Sequence, residues 1–182
     1  LREKLLAWGS KVVLANHNAP NQVVLSGRTD AIEEVEQKLA GDGITARRLP
    51  VATAFHSEIV AGAGAGLARY LKEQDFGKAG IPVFANTSAD VYPADASGAR
   101  KQLADQLAAP VRFVEMVEAM YAAGSRTFLE VGPGSVLTGL VGRILGDRSH
   151  RAITLDRKGK SGVASFLGGL GALAAAGYAV DL

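Results

Sequence analysis

Apolar and polar positions alternate with two different periods along the first third of this chain. "KVVLAN" and "QVVLSG" are short β-branched runs on either side of "NAPN", and runs of that kind broken by Asn and Pro predict a hairpin. From Asp30 to Ala40 the period lengthens, and Ile32, Val35 and Leu39 form one apolar stripe of a helix. Thr29 stands at its N-cap, Asp30 to Glu33 reads as a capping box, and Gly41 and Gly43 supply the stop. "TARRLPVA" then returns to a strand pattern.

A strand pair, a helix and a further strand make a βαβ-like unit around a small antiparallel sheet, the arrangement of half a ferredoxin-like module. From Pro50 onward strands and helices alternate, which predicts a parallel sheet covered on both faces. The pattern gives a helix from Ser57 to about Glu73, a strand at "IPVFAN" and a polar loop containing "DVYPADASG". Helices near Ala99 to Leu107 and Val111 to Ala123 follow, the second ended by Gly124 in a left-handed cap. "RTFLEV" is a strand running into "GPGS" and a helix that ends at Gly146, and "RAITL" is a last short strand. After "DRKGKSG" comes an amphipathic helix with Val163, Phe166, Leu167, Leu170 and Leu173 on one side. Gly62, Gly64 and Gly66 weaken their helix and are expected to permit close packing against the sheet.

Composition narrows the class. A chain of 182 residues with 48% hydrophobic content builds a sizeable core, as one domain or one domain with a small appendage. Its 20 Lys and Arg are interspersed with 18 Asp and Glu for a net charge of +2, so no nucleic-acid face is expected. The absence of cysteine removes disulfides, thiol nucleophiles and thiolate zinc sites, and it suits a reducing cytoplasm. No window reaches the length of a membrane span, since "SGVASFLGGLGALAAAGYAV" is interrupted by five glycines. The opening "LREKLLAWGS" has no initiator methionine, and the chain is expected to be a piece of something longer.

Three places invite chemistry. His56, in "VATAFHSEIV", is expected where a strand turns directly into a helix, at the carboxyl edge of a parallel sheet where α/β proteins bind ligands. If Ser57 caps that helix, its positive end lies against the imidazole and favours the neutral, proton-accepting form. Position alone leaves three readings open: a general base, a satisfied core histidine, or a metal ligand, the last without a second ligand at suitable spacing. Asn16, His17 and Asn18 in "ANHNAPN" read as turn residues. His150 and the cations Arg143, Arg148, Arg151, Arg157, Lys158 and Lys160 read as solvated surface, or as a docking patch for an acidic carrier or a nucleotide phosphate. The glycine-rich turn in "EVGPGSVLTGL" either offers backbone N–H groups to an anion or is simply a tight strand-to-helix turn.

Four segments in order, "NHNAPNQVVLSG", "RRLPVATAFHS", "LAAPVRFVEMVEAM" and "FLEVGPGSVLTGL", resemble the malonyl-CoA:acyl carrier protein transacylases and the acyltransferase domains of polyketide and polyunsaturated fatty acid synthases. The resemblance runs over essentially the whole chain. The ending "FLGGLGALAAAGYAVDL" is similar to the linker that follows the acyltransferase domain in type I polyketide synthases. The resemblance implies an α/β fold: a ferredoxin-like small subdomain over residues 1–49, the C-terminal part of an α/β-hydrolase-like acyltransferase core over 50–155, and a post-acyltransferase linker over 156–182.

It also implies a ping-pong transfer in which a serine takes malonyl from coenzyme A and passes it to the phosphopantetheine thiol of an acyl carrier protein. By motif, His56 is the catalytic base, Gln106 supplies the backbone carbonyl that orients the imidazole, and Asn16 stands near the serine. Phe55 matches a position where phenylalanine accompanies malonyl selectivity, because a ring beside the acyl pocket leaves little room for an α-methyl branch. No metal and no cofactor bound by the chain itself are implied. No GHSxG occurs in the sequence. The nucleophile and the arginine that pairs with the malonyl carboxylate are therefore expected in an N-terminal half, which is a partner together with the carrier protein and adjacent synthase domains. The isolated chain is expected to be inactive. The competing reading is a non-catalytic, acyltransferase-like docking module for a carrier protein.

Overall fold

A computed structural model describes residues 1–51 and 53–181; Ala52, at the end of the predicted strand "TARRLPVA", and Leu182 lie outside the described residues. The chain divides into two compact units, Leu1–Met116 and Val117–Leu182.

The first unit opens with a short helix, α1 (Arg2–Ala7), which the sequence pattern did not indicate. Strands β1 (Val13–Ala19) and β2 (Gln22–Ser26) form the expected antiparallel hairpin, closed by the two-residue loop Pro20–Asn21. Asn16, His17 and Asn18 are therefore strand residues rather than turn residues, because the turn needs only Pro20 and Asn21. Helix α2 (Thr29–Gly41) buries Val35 and Leu39 against Leu5 and Val12, with Ile32, Trp8 and Leu25 packed around them. This is a hydrophobic cluster at the N-terminal end of the first unit, and each large apolar side chain removed from water there contributes about 1.5–3 kcal/mol.

The N-terminus of α2 differs from expectation. Its N-cap is Arg28, no side chain caps it, and Asp30 accepts instead from the Ala31 N–H at 3.0 Å. The expected strand 45–52 carries no ladder among its described residues, since it finds no strand edge to pair with. Arg48 holds this segment along the polar face of α2 by bonds to Glu36 at 2.8 and 2.9 Å and to Glu33 at 3.3 Å.

Residues 58–60 form one 3₁₀ turn that leads into α3 (Ala61–Lys72). The expected strand "IPVFAN" shrinks to β3 (Phe84–Ala85), which pairs antiparallel with β4 (Asp90–Val91) inside the segment expected to be loop. Helix α4 (Ala96–Asp105) begins three residues earlier than expected because the Asp95 carboxylate accepts from the Gly98 N–H at 2.7 Å. Gly62 and Gly66 face open space, and only Gly64 approaches a neighbour, the Ala104 carbonyl of α4. Helix, not sheet, is what α3 packs against.

Helix α5 (Phe113–Ala122) ends as expected, with Gly124 at φ +102°. In the second unit β5 (Thr127–Glu130) and β6 (Arg151–Thr154) pair in parallel, joined by α6 (Val136–Leu145), which buries Leu140, Val141, Ile144 and Leu145 and stops at Gly146. Of the continuous parallel sheet expected after Pro50, this pair is the parallel ladder among the described residues. Helix α7 (Gly162–Ala175) lies on β6 with only part of its predicted stripe turned inward: Leu170 and Leu173 are half-buried, Val163, Phe166 and Leu167 are exposed, and Gly169 is the residue it buries.

A Cβ on Gly169 would stand 2.5 Å from Leu155 Cδ2 and 3.0 Å from the Thr154 carbonyl oxygen, so backbone proximity chooses the buried face. Gly169→Ala is accordingly expected to lower stability by about 1–3 kcal/mol. Gly168→Ala and Gly171→Ala, which meet nothing, should instead raise it by up to about 1 kcal/mol. Urea titrations of the three variants check the opposite signs; a stabilised Gly169→Ala would show that α7 does not seat here.

Candidate active site around His56

His56 sits in no strand; the segment before it is irregular, and the residue itself turns the chain with φ +57°. For a residue with a β-carbon, this left-handed conformation costs about 1–3 kcal/mol and persists only where the surroundings impose it. Several bonds do so. The His56 N–H donates to the Leu107 carbonyl at 3.3 Å. The imidazole Nδ1 lies 3.2 Å from the Gln106 carbonyl oxygen and 3.0 Å from that of Ala109. Carbonyl oxygens only accept, so Nδ1 carries the proton and Nε2 is the basic nitrogen. Nε2 has no hydrogen-bond partner among the described residues.

The carbonyls come from the end of α4. Gln106 is the C-cap of that helix, where the last carbonyls lack intrahelical partners. The turn from Gln106 to Ala109, followed by Pro110, aims that C-cap carbonyl and the Ala109 carbonyl beyond the helix at one ring nitrogen. The same segment is tied to the hairpin, since Val111 forms a parallel bridge with Asn16, accepting from the His17 N–H and donating to the Ala15 carbonyl, both at 2.8 Å. Asn16 thus reaches the His56 region through backbone; its side chain makes no hydrogen bond to His56 or Gln106 among the described residues. Phe55 is 53% exposed.

The signal that sequence reading missed is the left-handed turn at His56, which no residue-type preference announces. It also missed the His17 pair. His17 Nδ1 lies 3.2 Å from Glu115 Oε1, joining β1 to α5. Burial pushes the Glu115 carboxyl up, but its own backbone N–H, His17 and Arg112 together hold it below the ordinary carboxylate range.

In the second unit, donors in and after the glycine-rich turn are drawn on from within the chain. Glu130 accepts from the first turn of α6, from Leu137 N at 3.1 Å, Thr138 N at 2.7 Å and Thr138 Oγ1 at 2.6 Å. Asp156 takes the Gly134 N–H at 3.2 Å. Burial pushes the Glu130 carboxyl up, yet these donors at the helix N-terminus hold it below its usual range. Arg148, expected as solvated surface, makes a paired bond to Glu118 at 2.6 and 2.7 Å. A groove of about 450 Å³ is lined by Ser135, Thr138, Gly139, Thr154, Arg157, Lys158 and Lys160. Those three cations have no ion-pair partner among the described residues. No group of three or more metal-ligating side chains is found among the described residues, and no described helix is long and apolar enough to cross a membrane.

Comparison with known proteins shows the family to which the chain belongs. Residues 1–179 match the family model described as acyl transferase domain. The chain is 39% identical over 144 residues to the malonyl CoA-acyl carrier protein transacylase of Bacillus subtilis, covering 78% of this chain and 45% of that protein. It is 33% identical over 147 residues to one of the chains of the polyunsaturated fatty acid synthase of a Thraustochytrium species, covering 80% of this chain and 5% of that one. Among solved structures, the acyltransferase domain from the second module of the salinomycin polyketide synthase superposes with a TM-score of 0.82 at 29% identity, over 94% of this chain and 40% of that one. The chain spans less than half the length of the first curated relatives it matches. Its fold is the mixed α/β fold of these domains, and the chain belongs to the acyl transferase domain family.

Proposed function

We propose that this chain is the histidine-bearing part of a malonyl-CoA:acyl carrier protein transacylase domain, working in fatty acid or polyketide synthesis in the cytoplasm. The observation that carries the reading is the imidazole of His56, pinned through Nδ1 by two carbonyls and presenting a basic Nε2 with no partner among the described residues. That is what an acyl transfer through serine needs. Nε2 takes the proton of the serine hydroxyl as its oxygen attacks the malonyl thioester, and gives it to the departing coenzyme A thiolate. In the second half Nε2 takes the proton of the phosphopantetheine thiol, whose sulfur attacks the acyl-serine, and returns a proton to the serine oxygen. The Gln106 and Ala109 carbonyls act as an aspartate does in a hydrolase triad, fixing the tautomer and the ring orientation.

In this reading residues 1–49 form the ferredoxin-like small subdomain, 50–155 the C-terminal part of the hydrolase-like core, and 156–182 the linker. The serine belongs to a GHSxG segment supplied by an N-terminal half. Phe55 borders the acyl pocket and Asn16 flanks the serine.

A mixture of this chain with radiolabelled malonyl-CoA tests the division of labour. No acid-precipitable label is expected on the isolated chain, and label is expected once the GHSxG-bearing half is present. Stable labelling of the isolated chain would overturn the proposal. A second reading, the non-catalytic docking module for a carrier protein, draws on the groove with Arg157, Lys158 and Lys160, whose charge suits an acidic partner. Absence of label on the reconstituted pair, with retained carrier binding, would favour it.

A further inference from the structure

Ser57 is among the few buried polar residues, 6% exposed, and its hydroxyl is fully committed. It donates to the Ala54 carbonyl at 2.6 Å and accepts from the Ile59 N–H at 3.3 Å. The two bonds straddle His56, one anchored before it and one after it. The donor bond is the shortest among those that hold this turn, since the His56 N–H reaches the Leu107 carbonyl only at 3.3 Å. Between these anchors His56 is held at φ +57°. A non-glycine residue released from such a conformation relaxes to negative φ, which swings its Cβ to another direction. The ring would then leave the Gln106 and Ala109 carbonyls, and Nε2 would lose its aim.

We propose that Ser57 is a positioning residue for the base: its hydroxyl strap imposes the left-handed conformation of His56 and through it the orientation of the imidazole. The proposal rests on His56 acting as the proton-transferring base. Ser57 itself gives and takes no proton in the transfer, because its hydroxyl proton is held by Ala54 and its oxygen by Ile59.

The test is rapid-quench acylation of the full-length protein by labelled malonyl-CoA, which separates the burst amplitude from the burst rate. Ser57→Ala is expected to slow acylation about 10- to 100-fold per titrated active site, the scale on which small misplacements of a reacting group act. Its burst amplitude and its KM for malonyl-CoA should stay close to the parent's. Ser57→Thr, which keeps both bonds, should stay within about threefold. Ser57→Cys, nearly isosteric but a weak donor and acceptor, should fall between them. A purely structural role gives the opposite split, a reduced amplitude with an unchanged rate, and overturns the proposal. Ser57→Cys gives the same rate comparison should Ser57→Ala yield no folded protein, and a parental rate in the folded variant also overturns it. His56→Ala serves as reference. If that variant acylates at the parental rate the base reading itself fails, whereas a dead His56→Ala beside a parental Ser57→Ala defeats only the strap.

Discussion

Replacing His56 by alanine in the full-length protein is expected to lower malonyl transfer from coenzyme A to a carrier protein by about 10²- to 10⁴-fold, the usual share of a positioned acid–base group. On the proposed mechanism the loss should fall on kcat, since Nε2 would act in proton transfer and not anchor the coenzyme. Both half-reactions should then slow, because the same nitrogen would deprotonate the serine and then the phosphopantetheine thiol. The position complicates any substitution, as alanine is no better suited than histidine to φ +57°. His56→Asn is the cleaner companion. Asparagine tolerates the left-handed region, and its amide offers a donor to the Gln106 and Ala109 carbonyls but no basic nitrogen. Both variants should be inactive, with His56→Asn melting nearer the parent. Stopped assays that count carrier-bound malonyl settle the matter, and transfer within twofold of the parent in His56→Asn would remove the base assignment.

Replacing Phe55 by serine is expected to raise the kcat/KM for methylmalonyl-CoA relative to malonyl-CoA by about tenfold or more. One branching carbon in a pocket is worth about 1–3 kcal/mol, which bounds the change at about 200-fold. Phe55 is 53% exposed, so its ring contributes little to the core and the substitution should leave the melting temperature almost unchanged. That separation makes the ratio interpretable: a change in selectivity would report the acyl pocket rather than a loosened fold. Competition between the two thioesters, read as the masses of the loaded carrier, measures it directly. An unchanged ratio would show that the ring does not border the acyl group.

Both predictions concern neighbours in the sequence, and they were legible there to different degrees. The order of four motifs was enough to single out Phe55, His56 and Gln106. The hairpin β1–β2 and the helix α2 were equally plain in kind, because β-branched runs broken at "NAPN" and an apolar stripe at Ile32, Val35 and Leu39 are local signals, although the turn itself proved to need only Pro20 and Asn21. The strand expected at 45–52 carries no ladder among its described residues. A β-branched or alternating pattern makes a strand only when another strand presents its edge, and the segment lies instead along α2, with Arg48 bonded to Glu33 and Glu36. The terminal helix misled for a related reason. Its apolar stripe is real, yet what seats the helix is Gly169, where a missing side chain lets the backbone of β6 come close.

The glycine-rich turn shows how a motif's chemistry can already be taken. The Gly134 N–H in "GPGS" goes to Asp156, and Glu130, seven and eight residues before Leu137 and Thr138, takes N–H groups of the helix that follows. A carboxylate inside the chain is a permanent ligand at high effective concentration, and a free anion competes poorly with it.

By itself the sequence determined the β1–β2 hairpin and most of the helices, the lack of cysteine, the family resemblance and the residue that bears the candidate base. Those properties follow from local periodicity, from composition and from the order of short motifs, none of which needs distant parts of the chain to meet. Only the tertiary structure decided how that histidine is held. The bonds from Nδ1 to the carbonyls of Gln106 and Ala109 join residues 50 and 53 positions apart, and they are made from a left-handed turn at His56 that local residue preference does not favour.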